Sequence, residues 1–79
     1  MDRTQIYVRL NEVFRDVFDN KKISVNDKTT SHDIDDWDSL SHITLISAVE
    51  DEFKVKFSMK QVSTMKNVGE MVDIIISKK

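Results

Sequence analysis

Apolar side chains recur at helical spacing in three segments of the sequence, and this pattern sets the expected fold class. The chain has no proline and a single glycine, Gly69, whereas turn-rich β architectures depend on both residue types. The first segment predicts an amphipathic helix over about residues 3–19. Phe18 lies at the edge of its stripe and is expected to fold under the helix end. The stripe itself comprises Ile6, Leu10, Val13, Phe14 and Val17.

The second periodic segment predicts a helix from about Ser39 to Phe53. Leu45 falls at one edge of its stripe and is expected at the margin of the core. The inner stripe comprises Ile43, Ile46, Val49 and Phe53.

Two helix-start signals follow in the last third of the chain. Ser58 with Gln61 three residues later is a capping-box pattern, which predicts a short helix to about Met65. Asn67 with Glu70 three residues later has the same spacing, with Asn as the capping residue, and predicts the start of a final helix. The apolar face of that helix comprises Val68, Met71, Val72 and Ile75.

Residues 20–38 show no sustained period and are long for a connection within a compact domain. Ile23, Val25 and Ile34 are expected to pin this segment to the helices as an ordered crossing loop. The sequence therefore predicts one all-α domain over residues 1–79. We expect a four-helix bundle with a long loop between the first two helices and a short third helix.

Composition excludes several function classes. A formal net charge of −2 disfavours nucleic-acid binding, which requires a basic face. The absence of cysteine excludes disulfides and thiolate chemistry. No apolar run is long enough for a membrane span, and charged residues interrupt the N-terminus where a signal peptide would need an apolar run. We expect a cytoplasmic monomer that is not inserted in a membrane.

The segment from Asp35 to Ile43 places Ser39 between an acidic loop and the first turn of the second helix. A helix start leaves backbone N–H groups without partners and carries partial positive charge, so a phosphate ester on this serine is favoured there. Taken alone, a serine at this position is more often an ordinary helix cap. Asp38 likewise fits a capping acid.

Asp38, Ser39 and Leu40 form an Asp-Ser-Leu motif that resembles the modification site of the acyl carrier proteins. The resemblance extends to the order of the helices and covers essentially the whole chain. It implies that Ser39 carries 4′-phosphopantetheine from coenzyme A, and that Asp38 helps to present it. The implied partners are a phosphopantetheinyl transferase and enzymes that load and process acyl groups, with this chain as their substrate and not itself an enzyme.

Residues around the motif are candidates for partner docking. Periodicity directs Leu40 away from the core, as expected of a hydrophobic docking contact. Trp37 is interpreted first as a packing residue, and its position also allows contact with the arm or a partner. In the acyl carrier family, acidic residues of this helix meet basic patches on partner enzymes, and the run Glu50, Asp51 and Glu52 matches that region, with Glu50 and Asp51 as the docking candidates.

Two features depart from the family pattern. The neighbouring positions Ser41, Thr44 and Ser47 are neutral, which departs from the acidic recognition helix of fatty-acid carriers and favours a specialised pathway. Asp36 stands where many relatives have glycine.

Metal binding and catalysis are both disfavoured. The aspartates between positions 33 and 38 lack the glycine of a calcium loop, and Thr44 stands where its bidentate glutamate should be. Two isolated histidines make zinc improbable. His42 shares a helical face with Ser39, but no third partner or anion hole accompanies them. His42 is expected at the mouth of a cavity between helices.

Three alternatives remain beside the acyl carrier. An aminoacyl or peptidyl carrier of a non-ribosomal peptide or cell-envelope pathway also uses a modified serine at a helix start. An unmodified helical module that binds a partner through Leu40 and the acidic flank belongs to a different class. An independent enzyme is the weakest of the three, because no nucleophile, base and anion hole converge.

Overall fold

The computed structural model describes residues 2–78, which form four α-helices and no β-strand. The helices are α1 (Arg3–Val17), α2 (Ser39–Phe53), α3 (Met59–Thr64) and α4 (Val68–Ser77). One turn of 3-10 helix, Ser31–Asp33, lies in the long loop between α1 and α2. The predicted all-α fold, with its long crossing loop and short third helix, is confirmed.

Each helix begins at a residue whose side chain accepts a backbone hydrogen bond from the first turn. Asp2 caps α1 and Asp38 caps α2. Ser58 and Asn67 cap α3 and α4, as the two sequence signals predicted. These caps satisfy N–H groups that have no partner within the helix, so the helix starts are fixed by local chemistry.

The core lies between α1, α2 and α4, and the loop closes one end of it. Phe18 follows the last residue of α1 and is buried against Phe14 and Trp37, with ring centroids 6.0 and 6.3 Å away. Helix α1 therefore ends at Val17, two residues earlier than predicted, because Asp19 adopts a left-handed conformation with φ 49°. The expectation that Phe18 folds under the helix end is confirmed.

The predicted inner stripe of α2 was wrong at one position. Ile43 is 66% exposed, whereas Leu45, placed at the edge from the sequence, is 0% exposed. At about 100° per residue these two side chains lie on opposite sides of the stripe that continues to Phe53, so periodicity alone does not choose between them. The ring of His42 stacks on the buried Trp37, so the His42 side of the first turn lies against the core.

The loop between α1 and α2 is tied by hydrogen bonds to α1 and to the start of α4. Asn11 on α1 accepts from the backbone N–H of Val25 over 2.7 Å. The backbone N–H groups of Val68 and Gly69 donate to the carbonyls of Thr29 and Asp27. Ile23 and Val25 are buried as predicted, and Ile34 packs partly buried against the core.

None of the helices in residues 2–78 has both the length and the apolar character needed to cross a membrane.

Candidate functional site

Ser39 is the first residue of α2 and is exposed to solvent. Among residues 2–78, no group forms a hydrogen bond with its hydroxyl. Ser41, the other serine of the first turn, differs in this respect. Its hydroxyl donates to the Asp36 carbonyl over 2.8 Å and accepts from the Asp38 N–H over 2.8 Å. Of the two hydroxyls, only that of Ser39 is free to react.

Asp38 holds the start of α2 in place through a reciprocal capping box. Its Oδ1 accepts from the backbone N–H groups of Leu40 and Ser41 at 3.0 and 2.9 Å. The hydrogen bond from the Ser41 backbone, followed by the Ser41 hydroxyl and the Leu40 backbone, holds the pKa of the Asp38 carboxyl below its usual value. The carboxylate is thus stabilised in its charged form beside Ser39.

This cap changes the electrostatics expected at the helix start. The sequence suggested that unpartnered N–H groups would favour a phosphate on Ser39, but Asp38 already occupies the N–H groups of Leu40 and Ser41. A phosphodiester at Ser39 would lie near a carboxylate of like charge. The N–H groups of Leu40 and Ser41 are therefore not available to offset its charge.

A groove of about 420 Å³ begins at Ser39 and runs between α2, α3 and the loop. Part of its lining can form hydrogen bonds or carry charge: Ser31, Ser63, Lys66 and Asn67. The lining also includes Asp38 and His42, together with Trp37, Val62 and Met65, which belong to the hydrophobic core or pack against it. Lys66 supplies a positive charge within this groove.

Trp37 and His42 are joined by a hydrogen bond and by ring stacking. The indole Nε1–H donates to Nδ1 of His42 over 3.0 Å, and the ring centroids are 5.9 Å apart. On its other side Trp37 makes an edge contact with Phe14 at 5.3 Å. Trp37 is only 9% exposed, in agreement with the packing interpretation. His42 lines the groove, at the kind of position expected from the sequence.

Two apolar side chains beside Ser39 face solvent on the first turns of α2. Leu40 is 79% exposed, as its direction on the helix predicted, and Ile43 lies three residues further on. Residues at this spacing are neighbours on a helix surface. Leu40 and Ile43 therefore form a continuous apolar face next to the modification motif, and Ile43 was missed because it was assigned to the core.

The acidic run at the end of α2 is only partly available to partners. The Glu50 carboxylate accepts the backbone N–H of Phe57 over 2.8 Å, which fixes the chain after the helix. Glu52 pairs with Arg9 at 2.7 Å. Asp51 is exposed on the outer side of α2. Among the described residues, no group of three or more His, Cys, Asp or Glu side chains is placed to hold a metal ion.

Comparison with known proteins identifies the family. A family model described as "Phosphopantetheine attachment site" matches residues 8–75. The chain belongs to the acyl carrier protein family. The solution NMR structure of holo acyl carrier protein from Geobacter metallireducens superposes with a TM-score of 0.86 at 40% sequence identity, covering 92% of this chain and 84% of that chain.

Acyl carrier proteins hold covalently attached 4′-phosphopantetheine, and the site in this chain fits that group. Ser39 would provide the ester oxygen, since its hydroxyl is exposed and unpartnered among the described residues. Lys66 would offset the phosphate charge, and the polar lining of the groove would meet the amides of the arm. The contribution of Lys66 and of Ser31 was not predicted, because neither residue belongs to the motif.

Proposed function

We propose that this acyl carrier protein carries acyl groups on a phosphopantetheine arm attached to Ser39. The observation that carries the proposal is the free, exposed Ser39 hydroxyl at the first residue of α2, beside a groove with a cationic lining residue. When bound, the arm supplies a terminal thiol that holds an acyl group as a thioester.

Attachment is a phosphoryl transfer in which this chain is the substrate. The Ser39 oxygen forms a bond to the pantetheine-bearing phosphorus of coenzyme A, and the P–O bond of the pyrophosphate breaks. Adenosine 3′,5′-bisphosphate leaves, and the serine proton passes to a base on the transferase. Asp38 supports the step by fixing the backbone around Ser39. In this proposal catalysis belongs to the partner enzymes, in the cytoplasm.

Docking of those enzymes is proposed at Leu40 and Asp51, with Ile43 as an additional contact. Leu40 and Ile43 offer an apolar surface beside the reacting oxygen. Small interfaces centred on one or two apolar anchors suit brief encounters with successive enzymes. Trp37 and Glu50 are engaged in hydrogen bonds within the chain, to His42 and to the Phe57 N–H, so their share in docking is proposed to be smaller.

The partner enzymes are proposed to belong to a specialised acyl pathway. Thr44 and Ser47 are exposed on α2 and neutral, so this face lacks the charge that would select strongly basic partner surfaces. Polyketide, lipid and surface-polysaccharide chemistry all fit this description. The cargo on purified protein separates an acyl carrier from an aminoacyl or peptidyl carrier.

The decisive experiment is incubation of apo-protein with coenzyme A and a broad-specificity transferase, followed by intact-mass measurement. We expect the mass of one phosphopantetheine group to be added to the wild type and not to Ser39→Ala. Ser47→Ala, an exposed serine on the same helix, is the matched control and should be modified normally. No gain in the wild type, or a gain retained by Ser39→Ala, would contradict the proposal and favour an unmodified interaction module.

A further inference from the structure

We propose that Trp37, His42 and Val62 form a closed partition between the groove at Ser39 and the apolar core. The cargo that suits such a protein is a short acyl group, or one that bears oxygen, held in the groove and not sheltered inside the bundle. This inference rests on the proposed function, because it concerns the group that the arm presents.

Water drives any tethered aliphatic chain toward an apolar interior in proportion to the area that it would bury. Whether a chain enters the bundle therefore depends on an open path from Ser39 to the core. Ser39 and several side chains that pack against the core line the same groove. Whether the floor of this groove is open or closed therefore determines whether a chain on Ser39 can reach the core.

Trp37 forms the first part of that floor. One side of the indole packs against Phe14 and Phe18, with centroids 5.3 and 6.3 Å away, and the residue also lines the groove. An aromatic side chain of this size covers a large area of the interior. The indole thus separates the α1 side of the core from the groove.

His42 fixes the indole to α3 through both of its ring nitrogens. An indole N–H can only donate, so Nδ1 of His42 accepts from Trp37 at 3.0 Å. A carbonyl can only accept, so Nε2 donates its proton to the Val62 oxygen at 3.3 Å. The two partners together assign the neutral Nε2–H tautomer and orient the ring across the gap between α2 and α3.

The Val62 carbonyl lies where a helix needs an external partner. Helix α3 ends at Thr64, so Val62 lies among the last residues, whose carbonyls receive no N–H from a further turn. His42 supplies that missing donor from α2. Since α3 has no buried residue of its own, this hydrogen bond and the packing of Val62 and Met65 hold it closed.

Behind the partition the side chains are fully buried. Leu45, Phe53, Met71 and Ile75 are all without solvent exposure, and protein interiors of this kind are close-packed. A long chain would have to displace α3, break the His42 hydrogen bonds and repack these residues. The groove, by contrast, is open. The Ser63 hydroxyl donates to the Lys60 carbonyl and Asn67 Oδ1 caps α4, so the Ser31 hydroxyl and the Asn67 amide N–H groups are the donors left for oxygen-bearing groups.

The test compares butyryl and octanoyl groups loaded on the holo protein, with loading verified by intact mass. We expect the buried methyl resonances of Leu45 and Ile75 to be the same for both cargoes, and hydroxylamine to cleave both thioesters at equal rates. Octanoyl-specific shifts of those methyls together with slower cleavage would overturn the proposal. Failure to load at all would instead refute the carrier function, so the two failures are distinguishable.

A His42→Ala variant tests the partition itself. Removal of the imidazole should let α3 open, so that the octanoyl thioester becomes slower to cleave and the Leu45 methyls shift. His32→Ala, which changes the other histidine of the chain at an exposed loop position, is the matched control and should behave as wild type. A folded His42→Ala protein with wild-type octanoyl cleavage would contradict the role of His42. If this variant does not fold, the comparison of butyryl and octanoyl groups on the wild-type protein still tests the proposal.

Discussion

The carbonyl oxygen of Asp27 accepts the N–H of Gly69 over 3.1 Å, and a Cβ on Gly69 would lie only 2.7 Å from that same oxygen. Gly69→Ala must therefore push the loop away from the start of α4. We expect a loss of about 1–3 kcal/mol in the free energy of unfolding, measured with urea. Ile76→Ala, a part-exposed position on the same helix, should change it less. An unchanged urea midpoint for Gly69→Ala would show that the loop at Asp27 moves away from the new Cβ without loss of unfolding free energy.

The Asp27 carboxylate is also the centre of a polar cluster that should make stability depend on pH. It accepts from Arg3 at 2.7 Å and from the Tyr7 hydroxyl, and these bonds, Arg3 first, lower the pKa of Asp27. A lowered folded-state pKa contributes stability above the unfolded value of about 3.9, and that stability is lost as the pH falls through the folded value.

We therefore expect Asp27→Asn to reduce the acid-side loss of stability, measured as urea midpoints between about pH 7 and about pH 2. Arg3→Gln removes the largest cause of the pKa shift and should flatten the same part of the curve. A wild-type slope in both variants would exclude this cluster as a source of acid sensitivity.

Asp38 should contribute separately to stability and to modification. Asp38→Ala removes the acceptor for two backbone N–H groups and should cost about 1 kcal/mol in unfolding free energy. Transfer of phosphopantetheine to Ser39 should slow, because the first turn of α2 is then less ordered. Asp38→Asn keeps an acceptor oxygen and should be closer to wild type in both assays. Equal defects in the two variants would indicate that the charge, not the cap, matters.

Leu40 and Ile43 should affect docking without affecting the fold. Both are largely exposed, so Leu40→Ala and Ile43→Ala should each change the unfolding free energy by less than about 0.5 kcal/mol. We expect kcat/KM of the transferase to fall in both, and further in the double variant. Ser47→Ala serves as the control on the same helix. A large stability loss in Ile43→Ala would mean that this side chain is in fact buried.

The neutral face of α2 leads to a further expectation about salt. Exposed charge attracts partners over a distance that salt shortens, so a neutral face should give association that changes little with ionic strength. Thr44→Glu places a carboxylate on this face and should make the transferase reaction more sensitive to salt. The measurement is kcat/KM as a function of sodium chloride concentration. A strongly salt-dependent wild type would show that Asp51 or other acidic residues dominate docking.

Local sequence signals predicted most of the helix boundaries. Helix α2 begins at Ser39 and ends at Phe53 as expected, because the Asp38 cap and the apolar period agree. The end of α1 was less predictable, since Phe18 continues the apolar pattern but leaves the helix to pack beneath it. A stripe shows which face is apolar, and tertiary contacts decide where the helix stops.

The parts of the site that were not predicted depend on contacts that neither the apolar period nor the motif contains. The apolar period of α2 does not decide between Ile43 and Leu45, and the packed structure buries Leu45. The bond from His42 to Val62 spans 20 residues, and no motif indicates it. The sequence indicated that Asp38 caps α2. It did not indicate that this cap uses the N–H groups that a phosphate on Ser39 would otherwise approach.

The position of Trp37 has a practical consequence for every measurement on this carrier. It is the only tryptophan in the chain, and its indole N–H points to His42 at the edge of the groove. Indole emission therefore originates from this single place, without an attached dye. Changes in its intensity or colour as the arm is added, charged and discharged would give a real-time optical record of the working cycle.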